Sequence, residues 1–167
     1  MTLPDTETQM LWFKLSGCGL IMLSGCVFAV LLNRSENERL KRIYALLELM
    51  RFIRREIDYF CVPVNEIFKR VDKNILNACG SSGEITDFDS FIASLSPEPD
   101  EEIRSVLTSF SRELGVSYRE EQLKNCDLHI NTLSSLCDRA ERESKKNKKL
   151  HTVLCISAAA TVVILLL

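Results

Sequence analysis

The chain has 167 residues, room for one domain on a prior of roughly 150 residues per domain, and this excludes most multi-domain enzymes. Charged residues at 26% and a formal net charge of -2 offer nucleic acid no strong field, while hydrophobics reach 46% and the mean hydropathy is +0.04. Apolar residues in so charged a chain must be concentrated somewhere, and they sit at its two ends.

Residues 1–10 read as a short extracytoplasmic N-terminus. Residues 11–32, LWFKLSGCGLIMLSGCVFAVLL, hold one charge, Lys14, near the outer edge, where its stem can reach the interface. About 20 such residues at 1.5 Å rise cross ~30 Å of hydrocarbon, so this stretch predicts a transmembrane helix. Residues 150–167, LHTVLCISAAATVVILLL, hold only His151 as a titratable side chain and predict a second, shorter span. The bland alternative for each is a buried core helix. Positive residues near spans stay cytoplasmic. Arg34, Arg39, Lys41 and Arg42 follow the first span, and Lys145, Lys146, Lys148 and Lys149 precede the second. Both flanks therefore place residues 33–149 in the cytoplasm as a membrane-tethered domain.

Leu23-Ser24-Gly25-Cys26 supports a rival reading, because it has the form of a lipobox in which the cysteine is acylated; Leu15-Ser16-Gly17-Cys18 spells the same letters. The chain would then be an extracytoplasmic lipoprotein, anchored at Cys26, that binds a ligand or partner. Against it, the first 13 residues carry Asp5 and Glu7 with no lysine or arginine, and the run after Cys26 stays apolar. On the membrane-helix reading, Gly25 with Ala29 and Cys155 with Ala159 are small-residue pairs of the kind that let helices approach; whether the two spans meet is left open. The seven cysteines, at 18, 26, 61, 79, 126, 137 and 155, form no CxxC pair and fit a reducing cytoplasm.

Between the spans the pattern is helical throughout. Leu40, Ile43, Leu47, Met50 and Ile57 form an apolar stripe over 36–60, interrupted by Arg54. Pro63 breaks or bends the chain, and Val64, Ile67, Phe68 and Val71 restart a shorter helix. Cys79 to Gly83 reads as a loop, Thr86 to Leu95 as a short helix, and Ser96-Pro97-Glu98-Pro99 as a breaker. A helix from about Asp100 carries Asp100, Glu101 and Glu102 in its first turn, where carboxylates suit the positive end of the dipole, and stops at Gly115. Ser117 with Glu120 spells a capping box opening the longest element, along which Leu123, Cys126, Ile130, Leu133, Cys137 and Ala140 recur at heptad spacing. The predicted fold class is all-α: a cytoplasmic helical bundle between an N-terminal and a C-terminal transmembrane helix.

Residues 33–55 hold seven basic side chains against Glu36, Glu38 and Glu48, and residues 74–118 hold only Arg104 and Arg112 against eight acids. This predicts a basic base and an acidic far end. The base suits anionic lipid headgroups. The acidic end, with Glu98, Asp100, Glu101 and Glu102, is either a solvated face or a docking surface for a basic cytoplasmic partner, the mark of a membrane-tethered regulatory domain. No constellation for a reaction or cofactor emerges. Gly80-Ser81-Ser82-Gly83 lacks the lysine and length of a phosphate loop. Cys126 and His129 share a helix face, but two ligands do not make a metal site. The expectation is a chain without catalytic, cofactor or metal residues.

The segment Glu56-Ile57-Asp58-Tyr59-Phe60-Cys61-Val62-Pro63-Val64-Asn65-Glu66 resembles the stage III sporulation protein AB family of endospore-forming bacteria. Glu56, Ile57, Tyr59, Pro63 and Glu66 match its motif, while Leu114, Gly115 and Gln122 fall at the family's Leu-Gly pair and glutamine. Tyr118 departs from it where an acid is common, as do Cys155 and Ala159 where glycines are common. The resemblance implies a subunit of the channel joining mother cell and forespore, related to the inner-membrane platform of type II secretion and type IV pilus machines. It implies as partners the other channel membrane proteins, a cytoplasmic ATPase (stage III sporulation protein AA), membrane lipid and further copies of the chain, with no role for nucleic acid.

Overall fold

The computed structural model describes residues 6–60, 64–82 and 85–166, and at 6–15, 18, 64, 65, 163, 165 and 166 the backbone alone. Pro63, with the predicted break, therefore lies outside the described residues, as do Gly83, Glu84, Leu167 and half of the predicted N-terminus. The described residues form six α-helices and no strand: α1 (Thr6–Arg55), α2 (Val64–Arg70), α3 (Lys73–Cys79), α4 (Phe88–Ser94), α5 (Glu101–Glu113) and α6 (Arg119–Leu166). A π-helical turn, Glu56–Phe60, continues from α1. No proline falls between Pro4 and Pro63, so nothing breaks the first apolar stretch from the amphipathic one that follows, and α1 takes in both.

The chain divides into two compact units, one taking in the chain up to Asn37 and from Glu143 onward, the other Glu38–Arg142. In the first, α1 and α6 lie against each other at small residues. A Cβ built on Gly25 would sit 3.4 Å from the Ala159 Cβ and 3.5 Å from the Cys155 carbonyl, and Ala29 and Ala159 are buried. That close approach is what the absence of a side chain at Gly25 permits. Further along the same pair, Lys148 donates to the Asn37 side chain.

The second unit holds the core. The predicted stripe buries Ile43, Leu47 and Met50 on α1 and Ile57 in the π-helical turn, leaves Leu40 half-buried, and is joined by Leu46, Leu49 and Ile53. Cys126, Ile130, Leu133, Cys137 and Ala140 of α6 pack against it, joined by Ile103, Leu107 and Phe110 of α5. Each fully buried large side chain is worth about 1.5–3 kcal/mol in transfer terms. An aromatic cluster links the short helices: Phe88 lies 5.9 Å from Phe68, 5.6 Å from Phe91 and 5.1 Å from Phe110 between ring centres. Asp87 and Ser90 cap α4 reciprocally, the Asp87 carboxylate accepting from the Ser90 N–H at 2.7 Å and the Ser90 hydroxyl from the Asp87 N–H at 3.1 Å.

Three local expectations are corrected. Asp72 accepts from the Asn74 N–H at 2.8 Å and starts α3, a separate helix where the sequence suggested only the run to a loop. The capping box at Ser117 and Glu120 does not form among the described residues: the Tyr118 carbonyl takes the first bond of α6, from the Gln122 N–H at 2.9 Å. Asp100, expected in the first turn of its helix, stands just before α5, which begins at Glu101, and its carboxylate pairs with Arg39.

Candidate partner and membrane surfaces

The described family-motif residues lie in the π-helical turn after α1, on α2, just past α5 and in the first turns of α6. Glu56 and Ile57 are buried in the π-helical turn, with a Glu56 oxygen 3.6 Å from the Arg70 guanidinium. Gln122 is buried on α6, and its Nε2 has no acceptor among the described residues. Gly115, with φ of 82°, makes the left-handed turn past α5, beside the half-buried Leu114. Glu66 and Tyr59 face solvent.

What ties these pieces together is a charge network that the motif does not contain. Arg54 donates to both Asp127 oxygens, at 2.6 and 3.1 Å, and lies 3.5 Å from Asp58. Arg119 donates to the Asp58 carboxylate at 2.7 Å and to its carbonyl at 2.5 Å. Asp58 is thus the hinge-pin between the end of α1 and the start of α6. Its one signal in the sequence was Arg54, a charge set on an apolar stripe, which has to find a partner across the interface. The same end leaves Tyr59, Phe60, Val116 and Tyr118 uncovered, at 76%, 64%, 76% and 90% exposure.

The predicted separation of a basic base from an acidic far end does not hold within the Glu38–Arg142 unit. Asp100 pairs with Arg39, so the start of α5 folds back onto the basic stretch of α1. Glu98 pairs with Arg104, and Glu102 with Arg139. Of the four acids read as a docking surface, Glu101 alone has no ion pair among the described residues. Of the basic residues read as flanking the membrane, Arg39 and Lys41 also have carboxylate partners, Asp100 and Glu38. Arg42 is half-buried beside a cavity of about 100 Å³ lined also by Ile43, Leu46 and Ile103. Arg34, Lys146 and Lys149 are exposed, and Lys145 and Lys148 belong to the same unit as Arg34.

Cys126 and His129 do separate work. Cys126 lies in the core, whereas the His129 ring packs edge-on to Phe110 with Nε2 3.0 Å from a Glu113 oxygen. Among the described residues no three histidine, cysteine or acidic side chains are placed to hold a metal. Burial pushes the Cys79 thiol up to about 12, and Cys126 and Cys137 to about 11. All three are neutral packing groups at physiological pH. Leu23–Cys26, the lipobox-like letters, lies inside unbroken α1, with the Ser24 hydroxyl donating to the Ile21 carbonyl at 2.8 Å.

The stretch of α1 from Leu20 to Leu31 exposes Leu20, Leu23, Val27, Phe28, Val30 and Leu31. Among the described residues one helix is long and apolar enough to cross a membrane, within Gly19–Phe60, and only 6% of its most apolar window is buried. Fold and surfaces together define an all-α protein with a helix of membrane-spanning length and composition. The stage III sporulation protein AB family model matches residues 14–82 and 97–167. The chain belongs to that family, and its role is that of a stage III sporulation protein. No curated protein and no solved structure matches it.

Proposed function

We propose that this chain is a platform subunit of the channel between mother cell and forespore, crossing the membrane at 11–32 and 150–167 and holding the body between them in the cytoplasm on the mother-cell side. Its work is mechanical: the helical body receives a cytoplasmic ATPase of the stage III sporulation protein AA type and passes that subunit's position or movement to the membrane assembly. The observation that carries the reading is the uncovered apolar surface of α1, which a water-soluble chain would have to bury and which hydrocarbon covers at no cost. The exposed apolar side chains of α6, Leu150, Val153, Leu154 and Ile156, support a second span, and the lysines and arginines beside both stretches support the cytoplasmic orientation. The absence of proline and glycine from α6 between Arg119 and Leu166 supports the coupling part of this reading. Inserting a flexible Gly-Ser segment after Lys146 is expected to leave membrane insertion intact and to abolish sporulation; normal spore yield from that strain refutes rigid coupling. A reporter fused at position 90 is expected in the cytoplasm, and its appearance outside refutes the topology.

A further inference from the structure

Within the Glu38–Arg142 unit, the cavity of about 100 Å³ beside Arg42 lies between α1, α3 and the chain leading into α5. Its walls are apolar at Ile43, Leu46, Leu95 and Ile103, all buried, and at Cys79, whose thiol burial keeps neutral. The exposed Pro97 and Glu98 also line it, so it is reached from solvent on that side. Arg39, Arg42, Glu98 and Asp100 supply its charge. Asp100 is taken by Arg39, and Glu98 by Arg104. Arg42 is half-buried and has no carboxylate partner among the described residues. Its stem is fixed over Gly80, with Cδ 3.2 Å from where a Gly80 Cβ would sit. A guanidinium keeps its charge at physiological pH and carries five donors and no acceptor, so a partly desolvated one draws an anion.

We propose that the cavity is a site for a small aliphatic monocarboxylate, its carboxylate on Arg42 and its alkyl chain against Ile43, Leu46 and Ile103. Size sets the first limit. A cavity of about 150 Å³ accepts a six-carbon ring. One of about 100 Å³ takes an acid of roughly four to six heavy atoms, from acetate to butyrate, and not an amino-acid residue with its backbone. The donors set the second. The neighbouring N–H groups are spent, Gly80 on the Asn77 carbonyl, Ser81 on Leu76, Leu95 on Ile92 and Ser96 on Gly80. A phosphate dianion would find one free guanidinium, with Glu98 and Asp100 close by, and too few donors for its oxygens. A carboxylate needs only the two parallel N–H bonds that a single guanidinium offers. The hydrocarbon walls set the third, since they favour an alkyl chain over a second polar group. A bound acid would tie α1 to the chain entering α5 and stabilise that junction by mass action.

The test uses the full chain in detergent micelles, with isotope-labelled isoleucine methyl groups followed by nuclear magnetic resonance. Sodium propionate is titrated against sodium chloride at constant ionic strength. The methyl signals of Ile43 and Ile103 are expected to shift and saturate with a Kd on the order of millimolar, the range open to so small a ligand. Those of Ile67 and Ile130, which do not line the cavity, should stay in place. Propionamide has the same shape without the charge and should bind about tenfold or more weakly, as should propionate to Arg42→Gln. The amide comparison uses the unaltered chain, so it decides the matter even where that variant fails to fold. Absence of saturation in the millimolar range, equal binding of propionamide, or equal shifts at Ile67 and Ile130 would each overturn the proposal. So would tighter binding of inorganic phosphate, or of glutamate with both termini blocked, the last by assigning the cavity to an acidic side chain of a partner.

Discussion

Gly80 offers a quantitative probe of how the short helices are held onto α1. Its φ is 86°, and a Cβ there would lie 2.7 Å from the Ser96 carbonyl oxygen and 3.2 Å from the Arg42 side chain. The left-handed conformation costs an L-residue about 1–2 kcal/mol, partly offset by about 0.4–1 kcal/mol of entropy taken from the unfolded chain. The Ser96 oxygen is backbone and cannot swing away. Relief requires moving the strand of chain that is bonded back to Gly80 by the Ser96 N–H at 2.9 Å, and that bond is worth about 1 kcal/mol net. The same movement pulls at the Ser81 and Ser94 hydroxyls, 2.6 Å apart. Gly80→Ala is therefore expected to cost about 1–3 kcal/mol, a fall of roughly 5–15 °C in the melting temperature of a domain this size. Gly80→Asn separates the two causes, because asparagine tolerates the left-handed region but carries the same Cβ. Thermal unfolding of the full chain in micelles, followed by far-ultraviolet circular dichroism, measures both. A cost below about 1 kcal/mol for Gly80→Ala, or wild-type stability for Gly80→Asn, refutes the close-approach argument.

Other outcomes follow from the packing. Gly25→Ala should be accepted, with its Cβ at 3.4 Å from Ala159, whereas Gly25→Leu should part α1 from α6; thermal unfolding in micelles should stay near wild type in the first and fall by several degrees in the second. The raised thiols make stability fall with alkali: a neutral thiol is favoured in the fold, so the contribution is intact below the ordinary value of 9.0 and is lost as pH climbs from there toward 11 and 12. Denaturant midpoints taken from pH 8 upward should decline, and replacing Cys79 by Ala or Val should flatten that slope; an unchanged slope would refute the assignment. Metabolic labelling with a clickable palmitate analogue should give no signal that Cys26→Ser removes, and a signal that does depend on Cys26 would overturn the topology.

The long helices were legible because their information is local and repeated. Leu40, Ile43, Leu47, Met50 and Ile57, then Leu123, Cys126, Ile130, Leu133, Cys137 and Ala140, recur at helical spacing, and all are buried except Leu40 and Leu123, which are half-buried against the same core. Short helices carry too few repeats for that, and their limits are set by caps. Asp72 was readable as the start of α3, with Gly80 as its left-handed stop, but a seven-residue helix leaves hardly one apolar recurrence to prompt the search. Ser117 shows the converse failure, a good capping spelling overruled by tertiary contact. Arg119 is drawn to Asp58, and the helix starts one residue later than the spelling asked.

Charge was the least legible property, and the reason is distance along the chain. Arg39 and Asp100 are 61 residues apart, Arg54 and Asp127 73, and Arg139 and Glu102 37. No local window contains both partners, so each run of acids or bases reads as uncompensated when it is already paired in the fold. This bears directly on how a docking experiment is designed. Reversing Glu98, Asp100, Glu101 and Glu102 together would set like charges against Arg104, Arg39 and Arg139, loosen α5 from α1 and α6, and weaken a pull-down for reasons unrelated to docking. Glu101→Lys disturbs none of those pairs. If recovery of a partner falls with Glu101→Lys alone, the start of α5 does bind something basic; if it falls only when the paired acids are reversed as well, the loss belongs to the fold.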